Sequence, residues 1–491
     1  MNKWNKIMAN EFYIYLSILT PLIAFFITPL LSSNPNLRDS LGPIGGIITF
    51  YSSLKIASLY INGEILSYTF FQINETLSIS FKITGLGVIF GLVASGLWIL
   101  ASIYTIGYMR GNKEKNQTRF FTFYSIAIFA AICIAYSGNL LTLFIFYEVL
   151  TFSTYPLVAH KQNDAAKQAG RLYMGILVGT SIVFLLPAII IVWVLTGSLD
   201  FAPNGVLKGN ISNEYVPFLL ALFAFGIGKA ALMPFHKWLP AAMVAPTPVS
   251  ALLHAVAVVK AGVFSMLVVI TYVFGIDFLT ETSSSVWLIW VSSITLLLSS
   301  CIAITKDDLK ARLAYSTISQ LSYIVLGGAI ATNIAVQGAA IHIVMHAVGK
   351  ITLFFAAGSI YVATHLSKIS DLNGMGKSMP LTFIAFFIGS LSIIGVPPMG
   401  GSWSKFYLML GSVEKDYLLI IYILAISTLL NVYYLLEIPA KAFFQPKRTN
   451  IQVTKHPLIV YPTFFAAMLT IVLFIYIEPL KDITNLISGN Q

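Results

Sequence analysis

The chain has 491 residues, 57% of them hydrophobic and only 10% charged, with a mean hydropathy of +0.84. A soluble fold of that length needs far more surface charge, so the soluble classes are excluded and a membrane protein is expected. The net charge of +10 does not point to nucleic acid, because the basic residues cluster in short segments between apolar runs, where they read as topology signals.

The start, MNKWNKIMANEFYIYLSILTPLIAFFITPLL, has a polar lead and an apolar run long enough to stay as a span, so no cleavable signal is expected. Apolar runs of about 20 residues then recur to the end, each able to cross a hydrocarbon core of ~30 Å as a helix. They predict an all-α integral membrane fold of about fourteen helices, at 11–31, 40–61, 84–108, 119–137, 139–159, 170–196, 215–235, 247–275, 284–305, 312–330, 334–363, 379–410, 418–440 and 457–477. Segment 62–83 alternates apolar and polar residues and reads as a short β-hairpin outside the bilayer. Cys133 and Cys301 both fall in apolar segments, so no disulfide framework is implied.

Orientation follows from Lys and Arg. With both termini on the external side, loops from Arg38 to Lys455 that face the cytoplasm hold eighteen of the 29 basic residues, Arg448 among them; the external side holds six. The remaining five, Lys55, Lys229, Lys260, Lys350 and Lys405, lie within predicted helices and are all lysine. Glu148 and Glu437 join them. A charge at mid-bilayer costs several kcal/mol, so such residues face a bundle interior and mark a pathway. A desolvated amine can shed its proton, whereas a guanidinium stays charged. Lysine therefore suits a proton relay, and arginine would suit a voltage sensor.

Lys55 is near its helix end and can snorkel to the interface, and Glu437 sits one turn from the basic loop that begins at Lys441. Glu148 lies midway along LTLFIFYEVLTFSTYPLV, with no polar neighbour before Thr151. Lys229 precedes a break at MPFHKWLPAAMVAPTP, which contains Pro234 and Pro240, and Lys405 follows one at GVPPMGG, which contains Pro397 and Pro398. Interrupted helices at matching places point to inverted repeats and a mid-membrane site. The expected organisation is a three-helix segment with the hairpin at 1–118, five-helix repeats at 119–275 and 284–440, and a C-terminal loop and last helix at 441–491.

His342, His346 and Lys350 recur every fourth residue and share one helix face, and His254 shares a helix with Lys260. A neutral imidazole both donates and accepts a hydrogen bond, which suits a relay. The same spacing also serves helix packing, and a metal site lacks further ligands. There is no phosphate-binding glycine loop, nucleophile elbow, or haem or iron–sulfur pattern, so neither catalytic residues nor a cofactor is expected.

The stretches IYTIGYMRG (103–111), FYEVLTFSTYPLV (146–158), GKAALMPFHKWLPAAMVAPTPVSALLHAVAVVKAG (228–262), LKARLAYSTISQLSYI (309–324), HIVMHAVGKITLFFAAGSI (342–360) and GVPPMGGSWSKFYL (395–408) resemble the antiporter-like subunits shared by respiratory complex I, membrane-bound hydrogenases and Mrp-type cation/proton antiporters. The resemblance covers about residues 70–440. It implies fourteen transmembrane helices in two inverted five-helix repeats, a multi-subunit complex in a bacterial plasma membrane, and transport of H⁺ with Na⁺ or K⁺. It also implies that Glu148 is the fifth-helix glutamate paired with Lys229, and that Lys260, Lys350 and Lys405 are the lysines of the eighth helix, of the helix with the paired histidines and of the second broken helix. The stretch around Glu148 and the length look most like the D-type member of the Mrp antiporters. The chain stops at Gln491 without the lateral helix of the largest complex I member, and the middle complex I member has glutamate where Lys405 stands. A proton-pumping subunit of a complex I-like oxidoreductase or a hydrogenase is the runner-up, and a solute permease or a non-conducting scaffold are readings of other classes.

Overall fold

The computed structural model describes residues 3–447, 453, 454 and 456–487, with the side chains of 3–10 left aside. Arg448, Lys455 and Gln491 lie outside the described residues. In chain order the elements are α1 Lys3–Leu30, α2 Pro35–Ile61, β1 Ser67–Gln72, β2 Ser78–Lys82, α3 Gly85–Gly111, α4 Gln117–Ala135, α5 Leu140–Val158 and α6 Asp164–Thr196. They continue with α7 Val216–Gly226, α8 Thr247–Phe274, α9 Val286–Ile304, α10 Leu309–Ile330, α11 Asn333–Thr364, α12 Pro380–Ile394, α13 Gly401–Glu414, α14 Leu418–Phe444, α15 Pro457–Ile475 and α16 Glu478–Asn485.

Short polar residues start the helices. Asn139 accepts from the Thr142 amide at 2.7 Å, Asn163 from Ala166 at 2.9 Å and Asp308 from Ala311 at 2.8 Å, each satisfying an amide that the first turn leaves free. Asn163 explains why α6 begins at Asp164, earlier than the apolar run at 170 suggests.

Among the described residues, twelve helices are long and apolar enough to cross a membrane by length and composition. The expected segments 215–235 and 379–410 are not among them. Instead, each is a shorter apolar helix that stops at an interruption: α7 ends at Gly226 and α12 at Ile394. Crowding sets the first stop. A Cβ on Gly262 of α8 would lie 2.3 Å from the Lys229 carbonyl carbon, so the chain after Gly226 is pressed directly onto α8. The second stop needs a left-handed residue, supplied by Gly395 at φ +86°. Pro234, Pro397 and Pro398 lie in the irregular segments after α7 and α12. Pro240 lies in the same interruption as Pro234, inside the short helix Trp238–Ala241, in a first turn where a missing amide costs nothing.

The bundle is layered by burial. The most apolar windows of α8 and α11 are wholly buried and that of α10 is 94% buried, whereas those of α1 and α15 are 28% and 33% buried. Lys260 and Lys350 therefore sit on the innermost helices, α8 and α11. α11 is the hub, packing on α3, α10, α12, α13 and α15. The hairpin pairs Ser67 with Lys82 and Gln72 with Ser78, antiparallel. The Lys82 amide donates to Tyr136 O at 2.9 Å, which docks the hairpin on the end of α4. Tyr15 of α1 rests edge-on against Tyr68 of β1, and Tyr60 of α2 donates to Leu486 O at 3.3 Å after α16. The two ends of the described chain thus share the hairpin's face of the bundle.

Candidate functional site

Lys229 lies in a tight turn, Gly228–Ala230, and is fully buried. Its Nζ donates to Tyr147 O at 2.8 Å and Thr151 Oγ1 at 2.5 Å, and lies 3.1 Å from the centre of the Tyr147 ring. A carbonyl, a hydroxyl and an aromatic face can hold an ammonium without a counter-ion.

The direct Glu148–Lys229 ion pair expected from the resemblance is not formed. Both carboxylate oxygens of Glu148 are buried and have no hydrogen-bond partner among the described residues. Helix geometry gives the reason. Tyr147 and Thr151, one turn apart, share the face of α5 that meets Lys229, and Glu148 is turned about 100° away. It shares a stripe with Phe152 and Tyr155, which are exposed.

On α8, fully buried Lys260 places Nζ in a short contact with Nδ1 of His346 on α11. The His342 and His346 rings stack at 5.9 Å with 15° between planes, as their spacing predicts. His342 Nδ1 lies 2.8 Å from Ser404 Oγ on α13, the residue before Lys405. One buried polar line therefore runs from α8 through α11 to α13. His254 sits in a π-turn of α8 against the Phe354 ring at 4.7 Å, with both nitrogens unpartnered.

Lys350 leaves the histidine stripe and turns to α10, where Nζ donates to Ser316 Oγ at 2.6 Å. Lys405 points back across the second break: Nζ donates to Ile394 O at 2.8 Å and Thr428 Oγ1 at 3.2 Å. Ile394 is the last residue of α12, so its carbonyl is one that the interruption frees, at the negative end of the half-helix. The break supplies the ligand for the charge beside it.

Two acid–base residues lie apart from this line. Lys55 is exposed on α2, its Nζ 5.6 Å from the Tyr51 ring centre. Glu437 accepts from Arg312 at 2.5 Å and Lys441 at 2.6 Å. The sequence patterns do not reveal the neutral partners Tyr147, Thr151, Ser316, Thr428 and Ser404. Only the four-residue spacing of Tyr147 and Thr151 carried a signal, and it needs Lys229 in place to be read.

The family described as "NADH:quinone oxidoreductase/Mrp antiporter, TM" matches residues 137–431, and "NADH-Ubiquinone oxidoreductase (complex I), chain 5 N-terminus" matches 70–121. NADH-quinone oxidoreductase subunit N of Desulforudis audaxviator is 32% identical over 377 residues, 74% of this chain and 73% of that protein. The putative antiporter subunit mnhA2 of Staphylococcus haemolyticus is 32% identical over 67% of this chain, but the match spans only 42% of that protein. Two solved structures share the fold: a chain of the membrane-bound sulfane sulfur reductase, an archaeal respiratory membrane complex, at TM-score 0.85, 23% identity and 96% coverage of both chains, and a chain of the Mrp complex of Dietzia sp. DQ12-45-1b at TM-score 0.87, 18% identity, 98% of this chain and 97% of that one. With family matches over most of its length and one relative aligned over nearly three quarters of both chains, this chain belongs to the antiporter-like membrane subunits of the NADH:quinone oxidoreductase/Mrp antiporter family.

Proposed function

We propose that this chain is the proton-translocating subunit, of the D type, in a multi-subunit Mrp-type monovalent cation/proton antiporter. The observation that carries this reading is the row of Lys229, Lys260, Lys350 and Lys405, each at most 6% exposed in a bundle of bilayer-length helices, with histidine and hydroxyl groups between them. Four buried amines have a cost that stability alone does not repay. Protons pass from Lys229 toward Lys260 and Lys350 and then to Lys405, with His254, His342 and His346 as secondary relay groups beside the line. Glu148 acts as a switch: rotated toward Lys229 it forms the ion pair that holds the proton, and rotated away, as seen here, it leaves the amine on neutral ligands free to pass it on.

The units 119–275 and 284–440 are the two inverted repeats, each with one interrupted helix and one lysine beside the interruption. The chain lies in a bacterial plasma membrane with the hairpin's face outside. Its partners are other membrane subunits, which would cover exposed apolar faces such as Phe152 and Tyr155 on the Glu148 stripe. The coupled ions are H⁺ and Na⁺ or K⁺.

A second reading, a proton-pumping subunit of a complex I-like oxidoreductase, is favoured by the match over 73% of the Desulforudis audaxviator relative. Everted vesicles carrying the assembled complex separate the two. A pH gradient that collapses on adding Na⁺ or K⁺ supports the antiporter; one that builds on adding an electron donor supports the redox pump.

In the same vesicles, Glu148→Ala is expected to lower proton flux about ten-fold or more with assembly intact. Lys55→Ala, on the exposed face of α2, should leave flux unchanged. Normal flux in Glu148→Ala would remove the switch, and normal flux in all the buried-lysine variants would leave a passive scaffold.

A further inference from the structure

We propose that Ser316 and Tyr434 form a hydroxyl bridge that carries protons between Lys350 and Lys405. This rests on the proton-translocating reading above and adds residues that neither the sequence patterns nor the lysine row contain.

The bridge is built from three fully buried side chains on two helices. Lys350 Nζ donates to Ser316 Oγ of α10 at 2.6 Å. Ser316 Oγ lies 2.9 Å from the Tyr434 hydroxyl of α14, which makes a short hydrogen bond to Asn431 Oδ1. All three, Ser316, Tyr434 and Asn431, are 0% exposed. A hydroxyl carries one hydrogen, so Tyr434 donates either to Ser316 or to Asn431 at any one time. With that hydrogen on Asn431, Ser316 is left to donate to Tyr434 while it accepts from Lys350. In that arrangement every bond points away from Lys350.

Thr428, Asn431 and Tyr434 recur every third residue and so form one stripe of α14. At the far end of that stripe Thr428 accepts from Lys405 at 3.2 Å. The Tyr323 hydroxyl faces Ser427, Thr428 and Asn431 without meeting full hydrogen-bond geometry, and Lys405 Nζ lies 4.8 Å from the Tyr323 ring centre. Asn431 Nδ2 and Ser427 Oγ are buried and unpartnered in the same neighbourhood. The Tyr323 hydroxyl, Ser427, Thr428 and Asn431 would give a water molecule between Tyr434 and Lys405 enough partners to complete the path.

The transfer balances. The Lys350 ammonium loses a proton to Ser316 Oγ while the original Ser316 hydrogen passes to Tyr434. The Tyr434 hydroxyl turns its original hydrogen from Asn431 to the water, and the water gives a proton to the neutral amine of Lys405. Lys350 ends neutral and Lys405 charged, and both hydroxyls are restored. Asn431 is a positioning residue, aiming the Tyr434 hydrogen along the stripe; an amide is a poor proton carrier.

The test uses everted vesicles with the assembled complex, flux being read by a pH-sensitive dye and normalised to the amount of complex. Tyr434→Phe and Ser316→Ala should each lower proton flux at least about ten-fold, and Ser316→Thr, which restores a hydroxyl, should keep at least about half of it. Wild-type flux in Tyr434→Phe and Ser316→Ala beside a dead Lys350→Ala would overturn the bridge and leave the lysine row standing. Equal loss in Ser316→Ala and Ser316→Thr would also overturn it, since packing rather than the hydroxyl would be the cause. Wild-type flux in Lys350→Ala would sink the wider reading.

Discussion

Vesicles carrying Lys229→Ala should conduct protons at the background rate, at least about 100-fold below wild type, with the complex assembled in normal amount. The ammonium is held by the Tyr147 carbonyl, the Thr151 hydroxyl and the Tyr147 ring, none of which can take up and store a proton in its place. Assembly should survive because removing a buried charge also removes its desolvation cost, and the groups left behind are neutral. Lys229→Arg should fail as well. A guanidinium keeps its proton at any accessible pH, so it preserves the charge and abolishes the release. Substantial flux in the arginine variant would mean that only a fixed positive charge is required there, and the carrier role would be lost.

Gly262→Ala should be nearly as damaging, although residue 262 carries no chemistry. Its new Cβ would lie 2.3 Å from the Lys229 carbonyl carbon, 2.4 Å from the Ala230 amide nitrogen and 2.7 Å from the Lys229 carbonyl oxygen. All three are backbone atoms of a tight turn, so no rotamer relieves the clash and the turn itself must move. Overpacking of this kind costs ~1–3 kcal/mol, and relieving a 2.3 Å contact moves the turn by about 1 Å, enough to stretch the 2.5 Å contact to Thr151 out of good hydrogen-bond range. The expected result is a flux loss of about ten-fold or more and reduced heat stability of the complex. Gly175→Ala and Gly179→Ala, where nothing lies within 4 Å of the added carbon, serve as silent comparisons. A Gly262→Ala complex as active and as heat-stable as wild type would show that the turn is not held against α8 as described.

Some of this was open to the sequence. Hydrophobic runs predict helices because in lipid a backbone must satisfy its own polar groups, and that rule is local. Glu148, Lys229, Lys260, Lys350 and Lys405 stand out because an ionisable side chain inside such a run has a cost that needs a function. The stacking of His342 on His346 follows from a four-residue spacing on one helix.

What the tertiary structure decided is which of these groups meet, and through what. Glu148 misses Lys229 because the turn at Gly228–Ala230 docks on the Tyr147–Thr151 face of α5, a choice made by the packing against α8 at Gly262. Tyr434 lies 118 residues from Ser316, and Thr151 lies 78 from Lys229. No pattern reveals these partners in advance, because a hydroxyl in a membrane helix can bond the carbonyl one turn back, as Thr154 does to Leu150 at 2.6 Å. Charges in lipid are conspicuous one residue at a time. Their neutral ligands become visible only once distant helices are in contact.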